Sequence, residues 1–276
     1  MKARSVIDVD KSREDVSKML FHTIMDKLLS LELSHVVGLL AFGQNVLPVN
    51  ITREYERFHD DLGRLDAREN KTRLYDSVYA AAEMIETYMS DHPELSSSAR
   101  ASPIAKRIFV MTDGEDNAST RKPWEVTKFL QERRIVLDTI PVAGVSKVLY
   151  SMCTATYGLC FDVTSQEQGI NLFEREATLH LAFREEPASN PPAITRQEDL
   201  VALEPATAAE LRRVVDIKSA VPKQVFAACM SAAQAAEMAS STLDPSSGSG
   251  GSSSYSSQLI CQAHHEGIPS DPKGTD

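Results

Sequence analysis

The sequence predicts an α/β fold: a doubly wound, Rossmann-like and mostly parallel sheet with helices on both faces and one antiparallel edge strand. Two observations carry this expectation. From residue 6 to about 180, short runs rich in Val, Ile and Leu alternate with longer stretches whose apolar residues recur at helical spacing. Most of the short runs are continuously apolar rather than alternating, which suits parallel strands covered on both faces.

In chain order, strands are expected at residues 5–8, 36–42, 46–51, 107–112, 135–142 and 159–163. The run at 46–51 contains Pro48, which has no N–H to give to a ladder, so it is assigned to the sheet edge. Val16, Met19, Leu20, Ile24, Leu28 and Leu31 fall on one helical stripe that should pack on the sheet. Leu74, Val78, Ala81, Ala82, Ile85 and Met89 make a second stripe. A third helix begins after Pro123, a residue suited to the first helical position, and further helices are expected over 145–157 and 166–181. Residues 94–103, with four serines and Pro103, read as a surface loop.

After Phe183 the prolines of Glu-Glu-Pro-Ala-Ser-Asn-Pro-Pro cannot continue a helix, and a domain boundary is expected there. Three parts follow: a domain over 1–183, an extended linker with weak helices over 184–240, and a Ser/Gly-rich tail over 241–276. The tail lacks the apolar surface that would offset the entropy of ordering it, and is expected to be disordered.

Composition excludes several classes. The net charge of −10 and the pI near 5.2 leave no basic block dense enough to follow a phosphate backbone, so nucleic acid is not an expected partner. Cys153, Cys160, Cys229 and Cys261 form no CxxC pair and read as reduced thiols. No apolar stretch reaches the ~18 to 20 residues that span a bilayer, and Met1 is followed at once by charged Lys2 and Arg4. A cytoplasmic protein with no membrane partner is expected.

Candidate chemistry lies where a doubly wound sheet builds its ligand site, at the carboxyl ends of its strands. The segments there are Asp8-Val9-Asp10-Lys11-Ser12, Lys71-Thr72-Arg73-Leu74-Tyr75-Asp76 and Thr112-Asp113-Gly114-Glu115-Asp116-Asn117. Hydroxyls of Ser12 and Thr72 with carboxylates of Asp8, Asp10 and Asp113 would make an all-oxygen site suited to Mg²⁺. An open water position on that ion could accept a carboxylate from a partner. Bland readings stand beside this one. Asp113-Gly114 is also a turn signal. Thr72 could be a helix N-cap. The charges from Asp8 to Asp15 could be a solvated cluster at a helix start. His22, His35 and His59 read as isolated packing or surface residues, and Cys261, His264 and His265 lack further ligands at metal spacing.

Phe109-Val110-Met111-Thr112-Asp113-Gly114, Thr72-Arg73-Leu74-Tyr75-Asp76 and Val37-Gly38-Leu39-Leu40-Ala41-Phe42-Gly43 together resemble the von Willebrand factor A domain family, intracellular type. Order and spacing agree over roughly residues 6 to 180. The resemblance implies a metal-ion-dependent adhesion site in which Ser12 and Thr72 touch Mg²⁺ while Asp8 and Asp113 hold its waters. The first segment departs from the family's D-x-S-x-S pattern, with Asp10 where a serine is expected. The function implied is a protein–protein interaction module, not an enzyme, whose partner is another protein that presents an acidic side chain. Residues 17–21 and 171–174 are also similar to modules of the ubiquitin system. An alternative is a haloacid dehalogenase-like, Mg-dependent phosphatase, in which Asp8 of Val6-Ile7-Asp8-Val9-Asp10 is the nucleophile and Asp113 and Asp116 hold the metal. The Thr72 segment has no role in that reading.

Overall fold

A computed structural model describes residues 11–33, 35–66, 71–95, 104–112, 116–141, 146–161, 163, 165–178, 181 and 190–205. These residues form a mixed α/β protein with helices packed on small sheets. The order is α1 (Arg13–Ser30), β1 (Val37–Phe42), β2 (Val46–Thr52), α2 (Tyr55–Arg64), α3 (Leu74–Asp91), β3 (Lys106–Thr112), α4 (Pro123–Arg133), β4 (Ile135–Pro141), α5 (Lys147–Ala155), α6 (Gln166–Thr178) and α7 (Gln197–Val201).

β1 and β2 form an antiparallel hairpin whose register slips between Leu39 and Leu40, opposite Pro48. A bulge at that point accommodates a residue that cannot donate to the ladder. β3 and β4 pair in parallel through α4, with Lys106 opposite Ile135 and Thr112 opposite Pro141. Of the doubly wound, mostly parallel sheet that was expected, the described residues show one parallel pair, β3-β4. Among the described residues there are two separate two-stranded sheets, β1-β2 and β3-β4. Between β1 and β3 lies an apolar cleft of about 330 Å³. The strand expected at residues 5–8 falls outside the described residues. Among the described residues, the strand expected at 159–163 is reduced to one parallel bridge between Thr139 and Cys160. Gly158 lies just before it, so close to β4 that a Cβ there would stand 1.7 Å from the Leu137 carbonyl oxygen.

Two apolar clusters hold the layers. Val16, Leu20, Ile24, Met25 and Leu28 of α1 pack with Leu172, Phe173 and Ala177 of α6 and with Tyr55, Phe58 and Leu62 of α2. The helices α1 and α6 come close because Gly169 faces Leu20, where a Cβ would meet the leucine methyl at 2.7 Å. The second cluster joins Leu74, Val78 and Ala82 of α3 to β3, α4, β4 and α5. Residues 190–205 return to this body, with Ile194 and Leu200 buried in the second cluster. The boundary expected near 183 and the tail over 241–276 both fall outside the described residues. α2 was not expected, although Tyr55, Phe58 and Leu62 fall on one helical face.

A buried ionic network joins the second sheet to α6. Arg107 of β3 bonds the carboxylates of Asp138 on β4 and Glu176 on α6, and its guanidinium stacks 3.7 Å from the centroid of the Phe109 ring. Arg175 also pairs with Glu176, at 2.8 Å. His22 and His59 are not isolated as expected. Their rings stack at 4.5 Å between α1 and α2 with the Nδ1 atoms in contact, and His59 Nε2 meets Asp26 at 3.1 Å. Among the described residues no helix is long and apolar enough to cross a membrane.

Candidate functional site

The start of α3 is where three loops meet. Its N-cap is Arg73, whose side chain has no acceptor for the exposed amides of a first helical turn. Those amides are satisfied from residues 116–121 instead. Asp116 Oδ1 accepts from Leu74 N at 2.8 Å. Ser119 Oγ accepts from Tyr75 N at 3.0 Å and Asp76 N at 3.2 Å, and donates to Asp116 Oδ1. Asn117 Oδ1 accepts from Thr72 N at 2.8 Å, while the Thr72 carbonyl accepts from the amides of Asn117 and Ala118. The Gly43 carbonyl, in the β1–β2 turn, takes the Arg73 amide at 2.9 Å. A run of short oxygen-bearing side chains can do this because each reaches a backbone donor without a long, entropically costly stem.

Asp76 returns the contact from the helix side. Its buried carboxylate accepts from the amides of Thr120 and Arg121, both at 3.0 Å, from the Thr120 hydroxyl, and from Arg73 Nε at 2.8 Å. Burial pushes its carboxyl up, but the Thr120 and Arg121 amides, Arg73 and the Thr120 hydroxyl outweigh burial and hold it below the ordinary carboxylate range. Burial, then the charge of Asp116, pushes the Tyr75 hydroxyl up. Arg121 lies over the Tyr79 ring at 3.4 Å from its centroid, one turn further along α3. Lys71, Asn117, Thr120, Arg121 and Lys122 are exposed around this anchored core. On a chain with net charge −10, the rim therefore presents Lys71, Arg121 and Lys122 outward.

Of the expected ligands, Thr72 sits on this rim, tied by its backbone to Asn117. Ser12 lies at the start of α1, where its hydroxyl accepts from Asp15 N at 3.1 Å and donates to the Asp15 carboxylate. Both hydrogen-bonding roles of that hydroxyl are thus engaged in a capping box. Asp8, Asp10 and Asp113 fall outside the described residues. Among the described residues no group of three His, Cys, Asp or Glu side chains stands together as a metal site. Only Ser12 and Thr72 of the five expected donors lie among the described residues. Asp116, the metal holder of the phosphatase reading, has one carboxylate oxygen engaged as a helix cap. Asp76, Ser119 and Thr120 had no assigned role in the sequence. The signal for Ser119 and Thr120 was the Asp-Asn-Ala-Ser-Thr run, whose residues favour turns and caps.

No family model matches the chain. Among curated proteins it is similar to a probable bifunctional E2/E3 enzyme of Acanthamoeba polyphaga mimivirus, 24% identical over 170 residues. That match covers 61% of this chain and 13% of the relative, so the chain spans only a small part of that protein's length. Among solved structures it is similar to an aerotolerance-related membrane protein from Bacteroides fragilis, with 15% identity, a TM-score of 0.47, and coverage of 63% of this chain and 94% of that one. BatB from Bacteroides thetaiotaomicron gives 16% identity and a TM-score of 0.45, covering 62% of this chain and 91% of that one. Proximal thread matrix protein 1 of the mussel byssus gives 18% and 0.45, covering 65% and 44%. The expectation that the chain is not an enzyme is overturned by the curated relative, which is itself described as an enzyme.

Proposed function

We propose that this chain is a von Willebrand factor A-type domain that recognises an acidic surface of another protein within an intracellular ubiquitin-transfer assembly. The observation that carries this reading is the rim at the start of α3. Lys71, Arg121 and Lys122 are exposed there on an otherwise acidic chain, above a loop held by Asp76, Asp116, Asn117 and Ser119. A surface whose backbone is already fixed loses little conformational freedom on binding, and a local positive field steers an acidic partner toward it. The ubiquitin link is supported by the similarity to a probable bifunctional E2/E3 enzyme. Mg²⁺ held by Ser12, Thr72, Asp8, Asp10 and Asp113, the set that the family resemblance implies, would add a site that takes a partner carboxylate.

The test is binding of a ubiquitin-charged conjugating enzyme to the immobilised chain at several salt concentrations. Micromolar or tighter binding that weakens with salt is expected, with a loss of about tenfold or more in a chain carrying Lys71→Glu and Lys122→Glu. Equal affinity of the two chains would sink the rim assignment. Absence of binding to both charged and uncharged conjugating enzyme would sink the ubiquitin assignment.

A further inference from the structure

Where α3 meets α4, rings and guanidinium groups form a row along the surface. Tyr79 of α3 and Phe129 of α4, both half-buried, meet with ring centroids 4.6 Å apart. Arg121 closes one end, its guanidinium 3.4 Å from the centre of the Tyr79 ring, and Arg133 the other, 5.5 Å from that of Phe129. A guanidinium laid on a ring keeps its N–H edge for a carboxylate. Arg107 shows the completed arrangement in this same protein: it lies on Phe109 while its nitrogens bond Asp138 and Glu176. Arg121 has the same stack, yet among the described residues no carboxylate pairs with its guanidinium. The Arg133 side chain is 52% exposed and stands 3.8 Å from Glu86, a carboxylate that Lys106 takes at 2.6 Å. So loose and exposed a pair contributes little. Residues 121–134 carry five cations against two carboxylates, on a chain of net charge −10.

We propose that this row takes an extended segment of an acidic partner protein, with a carboxylate at each end and an apolar side chain between them. The proposal rests on the reading of the α3 rim as a site for an acidic partner, and names the element of that partner which is recognised. Arg121 belongs to both rim and row. The three spacings together reach up to about 13 Å, the distance that four steps of extended chain cover at ~3.3 Å each. Alternate side chains of an extended chain face the same way, so acid, apolar and acid at every second position match cation, rings and cation. The carboxylates meet the guanidinium edges, and the apolar residue covers the two rings. Stacking already holds the guanidinium groups in place, so less freedom is lost on docking.

The test is an NMR titration of the isotope-labelled full chain with the end-blocked peptide Glu-Ser-Phe-Ser-Glu. The Nε–H signals of Arg121 and Arg133 and the amides of Tyr79 and Phe129 are expected to shift together. Binding should be about tenfold weaker for the peptide Gln-Ser-Phe-Ser-Gln, and equally weakened in Arg133→Glu. Arg133 is exposed in the last turn of α4, so its substitution leaves the fold in place. Arg133→Lys, which keeps the charge and loses the planar edge, should fall between the two. Equal affinity for the Glu and Gln peptides, or unchanged affinity in Arg133→Glu, would overturn the proposal. Absence of shifts at Arg133 and Phe129, in a chain that still binds the conjugating enzyme through Lys71 and Lys122, would overturn the row and leave the rim reading standing. Peptide binding at the row without conjugating-enzyme binding would support the row and remove the ubiquitin assignment instead.

Discussion

The helices α1 and α3 are each 18 residues long, yet their first turns are held in opposite ways. α1 is capped from within: Ser12 and Asp15, three residues apart, satisfy each other's amides. α3 is capped from 42 to 45 residues away, by Asp116, Asn117 and Ser119. A local cap stabilises its own helix and constrains nothing else. A remote cap fastens a loop to a helix, and that loop is the one carrying Arg121 and Lys122. The difference marks the start of α3 as a place built to hold a surface in position.

The largest effect that would break the contrast is expected from Asp76→Ala. It leaves the Thr120 and Arg121 amides and Arg73 without their common acceptor, and should cost about 3 kcal/mol in denaturant unfolding. A loss under about 1 kcal/mol would mean the loop is held elsewhere. The pH dependence sharpens the same point. The folded Asp76 carboxyl lies below its ordinary value of 3.8, so its contribution is complete above that value and lost as pH falls through the lowered one. Denaturation curves across this acid range should be steeper in pH for the unsubstituted chain than for Asp76→Asn.

Ser119→Ala comes next, at about 2 kcal/mol, because one hydroxyl serves two amides and a carboxylate. It should also speed hydrogen exchange at Tyr75 and Asp76, which a purely local loss would not. Ser12→Ala should cost about 1 kcal/mol and change exchange in the first turn of α1 alone. If Ser12→Ala also loosened residues 116–121, the two caps would not be independent. The smallest effect is expected at His22, whose pKa is lowered by burial and then by His59, against Asp26. Its lowered value means that stability is complete above 6.5 and is lost as pH falls through the folded pKa. His22→Asn should flatten that slope, as read from thermal unfolding at a series of pH values.

How far the sequence could be read follows the same division between local and remote. The stripes of α1 and α3 and the edge role of β2 were legible because each depends on neighbours within a few residues. α2 was missed although Tyr55, Phe58 and Leu62 carried its spacing, since the charged residues around them masked a short amphipathic helix. The strand expected at 159–163 was overread from its apolar residues. The Asp138 carboxylate accepts the Leu159 amide at 2.7 Å, and among the described residues a bridge at Cys160 is what remains of the strand. At the candidate site, Thr72 was legible as part of a motif, whereas Asp76, Ser119 and Thr120 act only across a separation that no local pattern encodes. Ser12 was read as a ligand; its hydroxyl takes part in the α1 capping box with Asp15, and Asp8, Asp10 and Asp113 lie outside the described residues.

The most direct measurement is an amide-exchange footprint of the chain saturated with a ubiquitin-charged conjugating enzyme, compared with the free chain. Added protection confined to residues 71–76 and 116–122 is predicted. Protection centred on the exposed Leu47 and Val49 of β2, with the α3 rim unchanged, would contradict the assignment of that rim as the binding face.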